Sequence, residues 1–256
     1  MLAEFGIELN DVIVYLIAVF YAMMVLVVGD IGRRKLKLGS NFTRKTIHLF
    51  AGLAIWTVPY YPHPWVATLV ALTFVVFLGL ASGERFGRFF QAMARPEDLE
   101  HGSVRGPFWY AVSITILTGV FTFTGYERLY FVAAAAIHIM MFGDGMSAPI
   151  GLRYGKNHMH TIFGSKRSLP GCAALFVFGF LGAILAFWFF GIVNYGVFVS
   201  GSSILWVPMF SLALIGAAAA TLIELVSPKG TDNVTLPFIT CLVIFLAGMA
   251  MGVVVL

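Results

Sequence analysis

Charge is what this sequence has least of: only 11% of its 256 residues are Asp, Glu, Lys or Arg, against about 25% in an average soluble domain. A soluble enzyme is thereby excluded, because its exterior would have to be built from apolar side chains. Cysteine is equally scarce. Cys172 and Cys241 stand singly in apolar runs, which leaves neither a disulfide framework nor a Cys/His zinc site to consider. A secretory signal peptide is not expected either, since Glu4, Glu8 and Asp11 precede the first apolar run where a leader carries cations.

What the chain has in excess is apolar bulk. It is 60% hydrophobic, with 25 Phe, 27 Gly and a mean hydropathy of +0.92. Stretches of about 17–25 apolar residues span a bilayer as helices, and eight candidates are found: 11–29, 46–61, 64–81, 107–124, 128–143, 169–190, 203–223 and 236–256. The expected fold is therefore all-α, a polytopic membrane protein of about eight transmembrane helices, treated as one domain over residues 1–256. Between the second and third stretches, Pro59 to Trp65 reads P-Y-Y-P-H-P-W, an interfacial turn whose prolines break a helix and whose aromatics suit the headgroup region.

Lys and Arg collect in cytoplasmic loops, and 15 of the 16 basic residues fall in alternate loops, 30–45, 82–106, 144–168 and 225–235. Arg128 alone lies on the other side. Both termini are then outside, and the charged loops face the cytoplasm, the expected setting being a prokaryotic plasma membrane. No nucleic-acid partner is expected.

Ionisable groups at span ends are the informative minority in such a chain, and they form three clusters. R-K-T-I-H-L-F-A-G runs from Arg44 to Gly52; on a helix Arg44, His48 and Gly52 share one stripe with Lys45 beside it. From the residues alone, membrane anchoring with a packed His is the simpler reading of that cluster. The second runs from Phe142 to Lys156, F-G-D-G-M-S-A-P-I-G-L-R-Y-G-K, and continues as G-S-K-R-S-L-P-G from Gly164 to Gly171. An Asp framed by glycines at a span end, followed by Gly151, Arg153, Gly155 and Lys156, offers an oxygen ligand for Mg²⁺, backbone that phosphate can approach, and cations. The third, Glu224 to Pro237, places a carboxylate at the inner end of an alanine-rich span and adds Asp232 and Asn233 after a Pro/Gly-broken turn. Glu224 needs a partner there, or else reaches water at the helix end.

Familiar motifs fail. Gly151 to Asn157 is one residue too short for a P-loop and lacks its hydroxyl residue, and no protein-kinase signature is present. The D-G-x-x-A opening at Asp144 is shared with CDP-alcohol phosphotransferases, but Pro149 stands where they carry Arg, and their two later aspartates are missing.

The order of all three clusters resembles the CTP-dependent lipid kinases, the family of phytol kinase, dolichol kinase and yeast-type diacylglycerol kinase, most of all its phytol kinase branch. The likeness rests on R-K-x-x-H at Arg44 to His48, R-G-P-F-W-Y from Arg105, G-D-G-x-x-A-x-x-G from Gly143 to Gly151 with R-Y-G-K at Arg153 to Lys156, K-R-S-L-P-G at Lys166 to Gly171, and Glu224 followed by Asp232, Asn233 and Pro237. It covers about residues 44–240. The family's Lys before Ser is Arg167 here, and its doubled Asp before Asn is Thr231-Asp232.

That resemblance implies transfer of the γ-phosphate of CTP to the hydroxyl of a membrane lipid, an isoprenoid alcohol such as phytol, geranylgeraniol or a polyprenol, or diacylglycerol. It implies CTP as co-substrate and Mg²⁺ as cofactor. Asp144 and Asp232 are then the expected metal ligands. Lys45, Arg105, Gly151, Arg153, Gly155, Lys156, Lys166, Arg167, Ser168 and Asn233 are expected at the nucleotide, and Glu224 with His48 and Asp144 in the chemistry, Glu224 as base or as metal ligand. Two other classes compete. A CTP-dependent lipid cytidylyltransferase would share the pieces around Ser165 to Gly171, but its terminal H-G-G…D-R-x-D signature is absent. A transporter would line a pathway with Glu224, His138 and Asp144, against which the charges gather at one face.

Overall fold

The computed structural model describes residues 6–80, 105–156, 159–193 and 206–255. Within them the chain forms eight helical rods and one short hairpin, and divides into two compact units, Met1–Gly125 and Tyr126–Leu256. Five of the rods are long and apolar enough to cross a membrane, the make-up of a polytopic integral membrane protein.

In the first unit, α1 (Leu9–Arg34) is followed by α2 (Ser40–Ala51), which tightens without a break into a 3₁₀ helix over Gly52–Tyr60. The second apolar stretch looks short in the sequence. Starting at Ser40 and stretched by the steeper 3₁₀ rise, the rod reaches roughly 35 Å. Helices α3 (Val66–Leu80) and α4 (Arg105–Thr122) pack side by side. Val25 and Leu26 of α1, Ile47 of α2, Leu78 of α3 and Ala111 of α4 make their common core.

The interfacial turn is held by a carboxylate. Asp11, fully buried, accepts from the His63 backbone N–H at 2.9 Å and from its ring Nδ1 at 2.8 Å, and also from Glu8 N at 2.9 Å. One aspartate thus caps the start of α1 and pins the connection between α2 and α3. Arg85, Arg88 and Arg95 of loop 82–106 lie outside the described residues.

The second unit is built around α5 (Glu127–Tyr154), a 28-residue rod packed against α6 (Leu169–Val193), α7 (Trp206–Val226) and α8 (Asp232–Ala250). Every residue from Tyr130 to Met141 is buried. Here the structure departs from the sequence reading, which ends the fifth span at 143 and begins a loop at Asp144. The helix instead continues through a π turn over Ile139–Asp144 and on to Tyr154. Glycine is used for approach, not for a turn. A Cβ on Gly143 would lie 3.0 Å from the Leu175 carbonyl oxygen, and one on Gly182 would lie 2.8 Å from the His138 carbonyl oxygen. Small residues let α5 and α6 touch backbone to backbone, the way membrane helices associate when lipid offers no hydrophobic drive between them.

Between α5 and α6 lies the hairpin, β1 (His160–Ile162) with β2 (Ser165–Arg167), an element absent from the all-α expectation. Its two-residue loop, Phe163-Gly164, has positive φ at both positions, 47° and 77°, the twist that a tight antiparallel hairpin requires.

Candidate functional site

Glu224 sits in the last turn of α7, 3% exposed, where the helix dipole repels a negative charge. Its partner comes from the hairpin. Arg167 Nη1 donates to Glu224 Oε1 at 2.7 Å, in an ion pair 13% and 3% exposed. Ser147 Oγ, on α5, lies 3.4 Å from the same oxygen and 3.2 Å from the Asp144 carbonyl oxygen. Three separate pieces of sequence therefore meet at one carboxylate. The guanidinium keeps capacity in reserve, since Arg167 Nε is buried with no hydrogen-bond partner.

The hairpin's position follows from its alternation. The ladder pairs His160 with Arg167, Thr161 with Lys166 and Ile162 with Ser165. Successive strand residues face opposite ways, so Ile162, Ser165 and Arg167, all half-buried, share one face, while exposed Thr161 and Lys166 share the other. Lys166 and Arg167, adjacent in sequence and expected together at the nucleotide, are separated by the strand between two surfaces. The hairpin loop is tied down as well: Lys229 N, in the α7–α8 connection, donates to the Phe163 carbonyl oxygen at 3.2 Å.

Ser168 closes the junction between α5 and α6. It is the N-cap of α6, its Oγ accepting from Gly171 N at 3.3 Å and donating to the Gly151 carbonyl oxygen at 3.4 Å. Pro170 follows in the first turn, where a missing N–H costs nothing. Gly151 and Gly155, which the sequence reading offers to phosphate, both lie against Ser168: added Cβ atoms would come within 2.9 and 2.5 Å of its Oγ. Arg153 and Lys156 are exposed at and just beyond the end of α5, Arg153 over the Tyr154 ring at 5.4 Å.

Asp144 is 5% exposed in the π turn, and Asn233 is buried at the start of α8. Asp232, half-buried, accepts from Asn233 N at 3.1 Å through Oδ1, an acidic group favoured at a helix N-terminus. Among the described residues no three His, Cys, Asp or Glu side chains come together as a metal-ligand set. Asp144 and Asp232 are each hard oxygen donors of the type Mg²⁺ takes, one or two carboxylates with phosphate and water completing its shell.

The remaining sequence candidates belong to the first unit. The His48 ring packs against Tyr110 of α4, tilted by 40° with ring centroids 4.1 Å apart, and Tyr110 Oη donates to the His48 carbonyl oxygen at 2.8 Å. Two motifs 62 residues apart thus meet, R-K-x-x-H and R-G-P-F-W-Y. Lys45 is buried on α2, and Arg105 opens α4.

The chain is similar to known proteins along most of its length. The chain is 27% identical to "Phytol kinase" of Synechocystis sp. over 245 residues, 93% of this chain and 95% of that one. The chain is a distant homologue of the phytol kinases. Among the plant homologues, "Probable phytol kinase, chloroplastic" is 27% identical in Triticum aestivum, over 80% of this chain and 67% of that one, and 26% identical in Zea mays, over 87% and 72%. No family model and no solved structure matches the chain. Homology to phytol kinases supports a lipid kinase enzyme.

The sequence singles out neither Ser147, at the Glu224 carboxylate, nor His160, opposite Arg167 in the hairpin. Ser147 fills a variable position of the G-D-G-x-x-A-x-x-G pattern, and only its spacing of three from Asp144, one helical turn, could have flagged it. His160 precedes the recognised K-R-S-L-P-G motif and carried no signal until the hairpin register was known.

Proposed function

We propose that this protein transfers the γ-phosphate of CTP to the hydroxyl of a membrane isoprenoid alcohol of the phytol class, with all of residues 1–256 acting as one catalytic domain. The observation that carries the reading is the buried Arg167–Glu224 pair, in a chain homologous along nearly its whole length to phytol kinases. A carboxylate able to take a hydroxyl proton stands beside a cation able to hold phosphate, at the end of an apolar helix. An enzyme passing phosphate from a nucleotide to a lipid needs this pairing where the two solvents meet.

In this reading eight helices span the membrane, both termini lie outside, and the hairpin and the α7–α8 connection face the cytoplasm, from which CTP enters. Arg153, Lys156 and Lys166 attract the polyanion, with Lys45, Arg105, Ser168 and Asn233 as further nucleotide-side candidates and His48 as a positioning group within its own unit. Arg167 shifts donors from Glu224 to phosphate as the nucleotide binds. Glu224 then accepts the alcohol proton as the oxygen attacks; the new O–P bond forms while the bond from the γ-phosphorus to CDP breaks, and CDP leaves with the electron pair. Phosphoryl transfer needs mostly such positioning and charge neutralisation. Asp144 and Asp232 would hold a Mg²⁺ that neutralises charge on the phosphate oxygens.

The test is product analysis with CTP labelled at the γ or the α position, incubated with phytol, geranylgeraniol or a polyprenol. Label reaching lipid only from the γ position is expected. Transfer from the α position with release of pyrophosphate would replace the kinase by a cytidylyltransferase, and no transfer from either would refute both.

A further inference from the structure

We infer that His160 is a phosphate-contacting residue of this site and that His160, not Lys166, completes the anion-binding surface around Arg167. The inference deepens the kinase reading and rests on it. Its basis is the hairpin register, in which His160 stands directly opposite Arg167. Directly opposed residues of an antiparallel pair lie on the same face with Cβ atoms about 4.5–5.5 Å apart. Lys166 pairs with Thr161 on the other face, which points it away from Arg167.

The two residues have complementary chemistry. Arg167 is anchored, with Nη1 on Glu224 and a buried Nε that has no partner, so its remaining donors look for an acceptor. His160 is exposed at the open end of the hairpin and presents one ring N–H when neutral, two when charged. Guanidinium and imidazole side by side, one recessed and one at the rim, make a fork for the oxygens of a terminal phosphate. Charge-assisted bonds of this kind are stronger than neutral ones, and a fork at the γ-phosphate acts on CTP and not on CMP, which has none. The Phe163–Lys229 backbone bond fixes the hairpin loop to the α7–α8 connection, so the fork is held at the end of α7 that carries Glu224.

The experiment measures binding of CTP with Mg²⁺ and of CMP to the purified full-length chain and to His160→Ala, His160→Gln and Thr161→Ala, with thermal melting of each. The expected result is a loss of about tenfold in CTP affinity for His160→Ala, corresponding to roughly one charge-assisted hydrogen bond, and a smaller loss for His160→Gln, which keeps an N–H donor. CMP affinity and melting should be unchanged, and Thr161→Ala should bind CTP normally. Unchanged CTP affinity in His160→Ala would overturn the inference and leave the kinase reading intact, as would equal losses in His160→Ala and Thr161→Ala, which mark a distorted hairpin. Failure of the unsubstituted chain to bind CTP would overturn both.

Discussion

The Arg167 guanidinium and the Glu224 carboxylate, 57 positions apart in sequence, are joined at 2.7 Å in a pair almost closed to solvent. The same contact settles the charge of a helix-terminal carboxylate and links the hairpin to α7. Truncating one partner of a buried pair leaves the other charge uncompensated, at about 3–5 kcal/mol. Arg167→Ala should therefore lower the melting temperature in detergent as well as abolish turnover. Arg167→Met combined with Glu224→Gln should recover much of the stability and none of the activity. Equal melting of Arg167→Ala and the unsubstituted protein would mean the pair is energetically idle.

Asp144→Asn keeps the shape of the side chain, so the π turn and the close α5–α6 packing should survive. Turnover should fall by at least ~10²-fold, the scale of losing one strong electrostatic stabiliser. Near-normal activity at ample Mg²⁺ would assign Asp144 a purely structural role.

The glycines against Ser168 differ in a way that can be read by melting. Among the described residues, a Cβ on Gly151 would come closer than 3 Å only to Ser168 Oγ, at 2.9 Å; a Cβ on Gly155 would meet both Ser168 Cβ and Oγ at 2.5 Å. Both alanine variants should be destabilised, by about 1–3 kcal/mol for overpacking. Adding Ser168→Ala removes the oxygen but also the N-cap, about 1 kcal/mol. It should relieve Gly151→Ala in part and leave Gly155→Ala crowded. Equal rescue of the two would contradict this packing.

Topology can be decided by labelling single cysteines in a chain lacking Cys172 and Cys241. A cysteine at Tyr60, exposed at the end of the 3₁₀ helix, should react with an impermeant reagent in intact cells, whereas one at Phe163, exposed in the hairpin loop, should react only after permeabilisation. The reverse pattern would place the candidate site on the wrong side of the membrane.

The helices were legible because apolar runs this long have few alternatives in lipid, where every backbone polar group must bond within its own segment. The grouping of charges was legible for a related reason: ionisable residues are costly inside the bilayer and collect at its faces. Gly143-Asp144-Gly145 reads as a span end in the sequence because glycine carries two signals, freedom of φ and absence of a Cβ, and composition does not tell them apart. Here the second applies, as the 3.0 Å approach of a Gly143 Cβ to Leu175 would show on any side chain.

By itself the sequence determined the class of molecule, the order of its helices and the motif residues, Asp144, Arg167 and Glu224 among them, since hydropathy and motif spacing are properties of the chain. Tertiary structure alone decided that Glu224 is held by Arg167, that Ser147 approaches the same oxygen, and that His160 rather than Lys166 shares a hairpin face with Arg167. The physical reason is register: in a strand each step of one residue reverses the side chain, and which residues oppose one another was settled by a two-residue loop, Phe163-Gly164, that carries no apolar pattern of its own.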